Sequence, residues 1–300
     1  MLNSLDHVLL AVRDLDAATR TYARLLGRRP SWIGEHAGAG SRNTLFRLEN
    51  SYLELLTPEG PGVVGDALRG WLEARGEGPL GLAFGTEDAA ACRERLARSG
   101  LAPLGIEKGL GRDVESGAFR EWLRVPLPLD RTRGVLIFPI EHRSPSELLV
   151  PASAVGDPAA TVFALDHAVI QTSDPDSAAA LYGDKLGLRC ALDRSFERWG
   201  ARLIFFRIAG VTVELVARLE HDDTADRDTD LFWGVSWRVG NADAARERLA
   251  ALGFEVSEVR AGRKPGTRVL SVRGPTHGVA TLLLEPAGPG DPTGRGHIDR

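Results

Sequence analysis

The chain has 300 residues, a net charge of -4 and a pI near 6.0. Hydrophobic residues make up 43% and charged residues 26%, the composition of an ordinary globular protein, and the length predicts two domains of about 150 residues. No block of like charge indicates a nucleic-acid or anionic-membrane surface, and the longest apolar runs are too short to cross a bilayer. The two cysteines lack C-x-x-C spacing, which gives no indication of a thiolate metal cluster. The first twelve residues lack a signal-peptide pattern, so a cytoplasmic location is the default expectation.

The first unit of the chain predicts a strand, a helix and two further strands. Residues 7–12 form an apolar run that is typical of a buried strand. Asp14 then caps a helix whose apolar residues recur at helical spacing until Gly27 ends it. After a looser, Gly-rich stretch, residues 44–48 and 52–56 are typical of two strands joined by a turn.

A second unit of the same kind follows a short predicted helix at 65–76. Its predicted elements are a strand at 80–85, a helix at 88–99, and strands at 101–106, 119–125 and 135–140. A polar, proline-punctuated stretch follows, which is typical of a linker. The chain is therefore expected to divide near its middle.

The third unit repeats the first. When residues 5–56 are shifted by 160 positions, with no gap, they fall on residues 165–216 with 16 identities in 52 positions. Each copy carries one His and one Glu that lie 47 residues apart. The pairs are His7 with Glu54 and His167 with Glu214. A duplicated His-Glu pair is the strongest candidate for a functional site.

The fourth unit resembles the second. Its predicted elements are strands at 235–239, 255–259, 268–272 and 280–284 and a helix at 242–252. The helical sequence R-E-R-L-A at 93–97 recurs at 246–250, residue for residue. The chain therefore holds four βαβββ modules in which module 1 resembles module 3 and module 2 resembles module 4.

Two motifs carry a resemblance to a known family. One is L-D-H-V-x-L-A-V-x-D-L-D-A-A-x-x-x-Y from Leu5 to Tyr22, with its helix ending in L-G, and the other is the strand Y-L-E-L-L-x-P from Tyr52. They resemble the vicinal oxygen chelate superfamily, which includes glyoxalase, bleomycin-resistance and extradiol-dioxygenase proteins. The resemblance covers nearly the whole chain as four modules. It implies an α+β fold in which these modules pair into two half-open, curled β-sheet cups with helices outside.

The domain boundaries follow from the four modules and the linker between them. The first expected domain is glyoxalase-like and covers 1–143, with modules at 1–57 and 78–143. A linker at 144–162 leads to a second glyoxalase-like domain at 163–288, with modules at 163–218 and 231–288. A flexible tail is expected at 289–300. Which modules share a cup is left open by the sequence.

The resemblance also implies a divalent metal at the floor of a cup. Its ligands would be a His on the first strand and a Glu on the fourth strand of a module, which are His7, Glu54, His167 and Glu214 in this chain. The two glutamates are the candidate catalytic groups. Imidazole and carboxylate around a metal with open positions suit chelation of two neighbouring substrate oxygens. The sequence leaves the metal open among zinc, iron, manganese, nickel and magnesium, and leaves open the alternative of no metal.

Modules 2 and 4 depart from the family pattern. Alignment of the strands places Gly81 and Gly234 where a paired module would supply its His, and Phe138 and Leu282 where it would supply its Glu. A cup built within one half would then keep one His and one Glu. Only modules 1 and 3 facing each other, or a dimer, would collect four ligands.

Four arginines are candidates for substrate binding. They are Arg47, Arg207, Arg263 and Arg268. The first two recur at one position of the repeat, where a structural ion pair is the alternative. The other two lie at a turn before a strand, where carboxylate recognition and a solvated hairpin are both open.

Three functions remain open. The leading hypothesis is an enzyme of the lyase or isomerase type that acts on a small oxygenated molecule by proton transfer or by metal-chelated oxyanion stabilisation. The second is a metal-free protein that binds a small molecule or antibiotic, as resistance members of the superfamily do. The third is an extradiol-type dioxygenase with displaced ligands. All three imply a small-molecule partner, without nucleic acid or membrane, and a homodimer is an open alternative.

Overall fold

The computed structural model describes residues 1–36, 38–220, 226 and 228–288. The tail expected at 289–300 lies outside these residues. The described chain forms two curled β-sheets, one from each half of the sequence, with α-helices packed against them. No described helix is long and apolar enough to cross a membrane. The expectation of an α+β fold of curled sheets is confirmed.

The first half forms a closed eight-stranded barrel. Its strands are β1 (Leu2–Ala11), β2 (Trp32–His36), β3 (Ser41–Arg47), β4 (Tyr52–Pro58), β5 (Gly78–Thr86), β6 (Glu107–Asp113), β7 (Phe119–Arg124) and β8 (Leu136–His142), and its helices are α1 (Leu15–Leu26), α2 (Val63–Arg75) and α3 (Ala89–Arg98). The strand order is β1-β4-β3-β2-β6-β7-β8-β5, with β5 paired to β1. Modules 1 and 2 therefore share one sheet.

The second half forms an open sheet from modules 3 and 4. Its strands are β9 (Val162–Gln171), β10 (Arg189–Phe196), β11 (Ala201–Ile208), β12 (Val211–Arg218), β13 (Leu231–Val239), β14 (Glu255–Val256), β15 (Arg260–Ala261), β16 (Arg268–Gly274) and β17 (Ala280–Glu285), and its helices are α4 (Pro175–Ala180) and α5 (Ala242–Ala251). The order is β10-β11-β12-β9-β13-β17-β16-β14, with β15 on β16. Here β10 and β14 remain edges, and the sheet is a half-open cup as predicted.

The closure of the first sheet differs from the predicted half-open cup. Strands β2 and β6 pair through Gly34 with Asp113 and Glu35 with Arg112, which joins modules 1 and 2 at their second seam. Strands β10 and β14, their counterparts in the second half, are not paired with each other. The barrel is therefore complete in the first half only.

Helix α2 packs over the interior of the barrel. Its Leu68 and Leu72 belong to the same buried cluster as Leu9, Leu56 and Phe138, which lie on the sheet face that carries His7 and Glu54. In the second half, the described residues between β12 and β13 form no helix. Within the described residues, the interior of the second sheet therefore has no counterpart of α2 between these strands.

Side-chain caps begin α1, α3, α4 and α5, and Asp14 of α1 is the cap that the sequence predicts. Asp14, Asp88, Asp174 and Asn241 each accept a hydrogen bond from the backbone N–H three residues later. These bonds satisfy donors that the first helical turn leaves free.

The strand predicted at 101–106 is wrong, because Ala102 has a positive φ and the ladder begins only at Glu107. The strand predicted at 255–259 shortens to Glu255–Val256.

The repeated R-E-R-L-A sequence connects the two halves. Arg248 of α5 donates from Nη2 to the carbonyl oxygen of Leu25 at 2.7 Å and from Nε to that of Ala160 at 3.0 Å. Its counterpart Arg95 of α3 donates to the carbonyl oxygen of Leu186 at 3.2 Å. Both guanidinium groups meet the last carbonyls of the helix in module 1 or module 3, where the helix dipole favours a cation. Modules 1 and 4, and modules 2 and 3, therefore meet through helices rather than through sheets.

An Arg248→Ala variant is expected to be less stable than the wild type by about 2–3 kcal/mol, because it leaves partly buried carbonyl oxygens without charged donors. Arg246→Ala is the matched control in the same helix. It removes an ion pair to Glu258, whose side chain is 83% exposed, and should cost less than about 1 kcal/mol. Urea unfolding measures both, and equal losses in the two variants would contradict the bridging role of Arg248.

Candidate functional site

A β-bulge places an Asp beside the His in each copy. In the first half Leu5 pairs with Phe84 and His7 with Ala83, so that Asp6 is left out of the ladder. In the second half Asp166 is left out in the same way. Neighbouring residues of a regular strand face opposite sides, whereas a bulge re-aims one of them. The Asp carboxylate therefore reaches the imidazole of the next residue in both copies.

In the barrel, His7 lies in a closed polar cluster. Its Nδ1 donates to Asp6 at 2.7 Å, and its Nε2 is in ion-pair contact with Glu54 at 3.2 Å. Asn43 donates to the other oxygen of Glu54 at 2.7 Å. The ring of Tyr52 stacks on the imidazole with centroids 4.3 Å apart. His7 is 2% exposed, so a substrate has no access to its imidazole.

In the cup, the same pair is open. The Nδ1 of His167 donates to Asp166 at 2.8 Å, and its Nε2 lies 3.3 Å from Glu214. Arg238 holds the other oxygen of Asp166 at 2.6 Å. The side chain of His167 is 17% exposed, against 2% for that of His7. The two copies thus share one geometry, but the imidazole of the second is the more exposed of the two.

One substitution within the repeat accounts for part of this difference. Position 52 of the first copy corresponds to position 212 of the second. Tyr52 pairs with His7 across neighbouring strands, and Thr212 pairs with His167 in the same way. Tyr52 covers His7, whereas Thr212 is too small to cover His167. The small side chain of Thr212 leaves His167 and Glu214 on the lining of the cavity.

The cup encloses a cavity of about 1670 Å³. His167 and Glu214 lie on its floor, and Trp199 and Trp233 are part of its wall. Arg263 contacts both the floor and the wall. Its Nη1 lies 3.4 Å from Glu214, and its guanidinium carbon lies 4.4 Å from the centre of the Trp199 ring. A ligand that stacks on the wall can therefore reach the floor.

The lining of this cavity is strongly cationic. It contains seven basic side chains: Arg194, Arg207, Arg238, Arg260, Arg263, Lys264 and Arg273. Among the described lining residues the acidic ones are Asp166 and Glu214. Because the whole chain carries a net charge of -4, the charge is concentrated at this site. Such a surface favours an anionic ligand.

The four arginines predicted to bind substrate separate into two groups. Arg207 and Arg263 line the cavity. Arg47 donates instead to the backbone carbonyls of Ser146 and Leu149 in the segment between the halves. Arg268 pairs with Asp243 at 2.7 Å and with Glu285 at 3.4 Å, outside the cavity lining. We therefore retain Arg207 and Arg263 as candidates.

The His and Glu side chains of the barrel and of the cup do not fit the chelated metal that the resemblance to the superfamily implies. The modules that share a sheet place one His and one Glu together, and the described residues contain no cluster of three His, Cys, Asp or Glu side chains suited to a metal. Three protein ligands are the usual minimum for a catalytic zinc or non-haem iron. The arrangement in which modules 1 and 3 pool four ligands is excluded by the sheet order, because modules 1 and 2 share one sheet and modules 3 and 4 the other.

Steric contacts keep the missing ligand positions empty. A Cβ on Gly234 would collide with the carbonyl oxygen of Ala280, and a Cβ on Gly81 would collide with that of Leu136. Glu285, near the end of its strand, accepts a hydrogen bond from the first N–H of α5, at Ala242, and Glu141 caps α3 in the same way. These glutamates stabilise helices and do not supply the missing ligands.

Neighbouring carboxylates raise the pKa of the imidazole in both copies. Burial opposes protonation of His167, but the hydrogen bond to Asp166 and the charges of Glu214 and Asp166 outweigh it and raise its pKa. Burial likewise opposes protonation of His7, yet Asp6 and Glu54 raise its pKa to about 8. The pKa of Asp166 falls to about 2, because the hydrogen bonds and charges of His167 and Arg238 outweigh its burial. In the barrel, the imidazolium form of His7 is therefore the expected state at neutral pH.

The raised pKa of His7 predicts a pH-dependent stability. Between 6.5, its ordinary value, and about 8 the folded state binds a proton that the unfolded state has released. The free energy of unfolding should therefore be highest below pH 6.5 and should fall by up to about 2 kcal/mol as the pH rises through 8.

A His7→Gln variant tests this prediction, because it should lack that part of the slope. Urea unfolding between pH 6 and 9 measures the difference between the two proteins. Titration of the His7 imidazole by NMR gives its pKa directly in the wild type. Identical slopes together with a midpoint near 6.5 would contradict the prediction.

Sequence reasoning missed several residues of the site. An Asp precedes the His in both copies of the L-D-H motif, as Asp6 and Asp166, and that repetition could have identified Asp166. Arg194 and Arg260 lie 66 positions apart and meet only because β10 and β15 approach the same cavity. Register and sheet curvature, rather than local pattern, bring them together.

Comparisons with known proteins agree with this architecture. A family model described as a glyoxalase-like domain matches residues 5–161, and one described as the glyoxalase/bleomycin resistance protein/dioxygenase superfamily matches residues 166–270. The chain is 33% identical over 106 residues to the ethylmalonyl-CoA/methylmalonyl-CoA epimerase of Cereibacter sphaeroides, a match that covers 35% of this chain and 77% of that protein.

Two solved structures share the fold over nearly the whole chain. A variant of 4-hydroxymandelate synthase from Streptomyces coelicolor has a TM-score of 0.66 at 17% identity, covering 94% of this chain and 92% of its own. A hypothetical protein from Staphylococcus aureus has a TM-score of 0.61 at 12% identity, covering 93% and 97%. At these identities the likeness shows the fold alone. Because the first family model matches more than half of the chain and the second matches most of the remainder, the chain belongs to the glyoxalase-like proteins of the vicinal oxygen chelate superfamily, as its repeated motifs predict.

Proposed function

We propose that the C-terminal cup is the active site of an epimerase- or isomerase-type enzyme. The reaction is proton transfer at a carbon atom beside a carbonyl group, in a small substrate that also carries a carboxylate. The observation that carries the proposal is the His167–Glu214 pair, which lies on the floor of an open, cationic cavity. The N-terminal barrel, in which the same pair is covered, has a structural role.

The arrangement of the pair suits acid-base chemistry. In this proposal Glu214 accepts the proton from the substrate carbon and releases it to water, and a solvent proton returns to the carbon. Protonated His167 donates a hydrogen bond to the oxygen on which negative charge develops in between. Asp166 holds the ring so that Nε2 points to the floor. Arg263, next to Glu214, is free to bind the substrate carboxylate through its outer nitrogens, because its side chain is 55% exposed.

The name of the related epimerase supports the same chemistry. The protein from Cereibacter sphaeroides is named as an epimerase of ethylmalonyl-CoA and methylmalonyl-CoA, which are CoA esters of dicarboxylic acids. Its substrates thus combine a carbonyl, a neighbouring C–H and a carboxylate. The cationic lining of the cup fits an acid of this kind.

Exchange of substrate hydrogen with deuterated water tests the proposal. The protein is incubated in D₂O with methylmalonyl-CoA, ethylmalonyl-CoA and the corresponding free acids, and deuterium at the carbon beside the carbonyl is followed by mass spectrometry. We expect incorporation of one deuteron above the protein-free rate with at least one of these probes. Binding of a probe without exchange would favour the alternative of a metal-free binding protein.

Metal content is measured on the same preparation. Elemental analysis compares protein purified without a tag with a His7→Ala/His167→Ala double variant. Proton transfer by the pair alone predicts exchange that persists after chelator treatment. A stoichiometric divalent metal that is lost in the double variant, together with exchange lost on chelation, would contradict the metal-free mechanism.

A further inference from the structure

We propose that the mouth of the cup is a second binding site, for the nucleotide part of an acyl carrier. It is formed by the segment Arg194–Trp199 on one side and by the hairpin Arg260–Lys264 on the other. This inference rests on the proposed function in taking His167 and Glu214 as the reaction centre. It adds where the non-reacting part of the substrate binds and what its chemistry is.

The size of the cavity is the first argument. Pockets for small organic ligands usually enclose about 300–1,000 Å³. The cup encloses about 1670 Å³, so a short dicarboxylic acid at the floor would leave most of it unfilled. A ligand with a long extension toward the mouth fills this volume.

The charge of the mouth is the second argument. Several cations there form no ion pair with any described carboxylate: Arg194, Arg198, Arg260 and Lys264. Unpaired guanidinium groups around one opening repel each other, and an anion with several charges removes this repulsion. Phosphate groups match guanidinium geometry through paired hydrogen bonds. One carboxylate on the substrate would leave most of these cations without a carboxylate partner among the described residues.

An aromatic wall runs beside the cations. The rings of Phe196 and Trp199 lie 4.5 Å apart. The guanidinium carbons of Arg198 and Arg263 each lie 4.4 Å from the centre of the Trp199 ring, and that of Arg194 lies 5.2 Å from Phe196. Alternating aromatic rings and arginines stack planar bases and bind the attached phosphates. The wall therefore matches a nucleotide better than a simple phosphate.

Arg263 links this wall to the reaction centre, because it contacts both Trp199 and Glu214. A ligand whose base stacks at Trp199 is thereby directed with its acyl end toward His167. Binding energy from the non-reacting part of the substrate would be used to position the reacting carbon.

Calorimetric titration with coenzyme A tests the site, because this probe has the nucleotide and phosphates but no acyl group to react. Pantetheine, ADP and inorganic phosphate are titrated in parallel at the same salt concentration. We expect coenzyme A to bind, ADP to bind more weakly, and pantetheine and phosphate to bind at least about 10-fold more weakly than coenzyme A. Equal binding of phosphate and coenzyme A would reduce the site to a general anion site and overturn the proposal.

Two variants identify the residues. Trp199→Ala should weaken coenzyme A on the order of 10-fold, and Arg194→Ala/Arg260→Ala should weaken it and lower its salt dependence. Arg75→Ala is the matched control, because Arg75 stacks on Trp71 at 4.5 Å on the helix of the other half. Coenzyme A affinity that is unchanged in the mouth variants would overturn the assignment, with thermal unfolding as the check that each variant is folded.

The failure of this proposal is distinguishable from that of the proposed function. Coenzyme A binding without any deuterium exchange would keep the mouth site and remove the proton-transfer assignment. Exchange of the free acids at the same rate as their CoA esters would keep the reaction centre and remove the mouth site.

Discussion

A Glu214→Gln variant is expected to lose about 10²–10⁴-fold in the rate of deuterium exchange, because the amide cannot accept a proton from carbon. The amide has nearly the shape of the carboxylate, so the packing around it is retained. Substrate affinity should change little, since the arginines of the mouth remain in place. The loss is therefore expected in kcat rather than in KM.

Glu54→Gln is the matched variant, because Glu54 occupies the same position of the repeat. It lies against His7 and Asn43 inside the closed barrel, away from the cavity lining. We expect its exchange rate to equal that of the wild type at a temperature where both are folded. An equal loss in the two variants would show that the barrel takes part in the reaction, and no loss in either would remove the assignment of Glu214 as the base.

The candidate pair could be predicted from the sequence, because its two members recur at one spacing in a duplicated stretch. The sequence does not show which copy is open. That difference depends on the pairing of β2 with β6, on the cover that α2 provides and on the size of the residues at positions 52 and 212. All three act through contacts between segments that are distant in the chain.

The strand register of module 4 agrees with the alignment that places Gly234 and Leu282 at the ligand positions. Gly234 pairs with Ala280 two positions before Leu282, as His167 pairs with Thr212 two positions before Glu214. The lost His and Glu positions therefore lie where the sequence placed them. A His cannot replace Gly234 without a collision, because β13 and β17 approach closely there, and a sequence does not show that distance.

The cationic mouth could be predicted only in part. The sequence indicates Arg207 because it recurs in the repeat, and Arg263 because it lies in a basic turn. Neither observation indicates that these residues share a cavity with Arg194. The curvature of the open sheet brings β10 and the β15–β16 hairpin over the same floor, and curvature has no local sequence signature.

A Thr212→Tyr variant is expected to close the cup and to lower turnover on the order of 100-fold or more, because the ring would occupy the place of the reacting group. The expectation follows from the first copy, where Tyr52 stacks on His7 with centroids 4.3 Å apart and leaves it 2% exposed. Since the backbone pairing at Thr212 is the same, the new ring should adopt the same position over His167. Stability should not fall by more than about 1 kcal/mol, because the ring enters a cavity rather than a packed core.

The comparison with Tyr52→Thr separates blocking from unfolding. That variant removes the ring over His7 and should lose stability, since it leaves a void in a buried cluster. It should not create a second binding site, because α2 still covers the barrel interior. Deuterium exchange and coenzyme A titration measure the effect in each variant, with Thr212→Ser as the conservative control that keeps both activities. If Thr212→Tyr exchanged substrate hydrogen at the wild-type rate, the reacting carbon could not lie above His167, and the assignment of the floor as the reaction centre would be wrong.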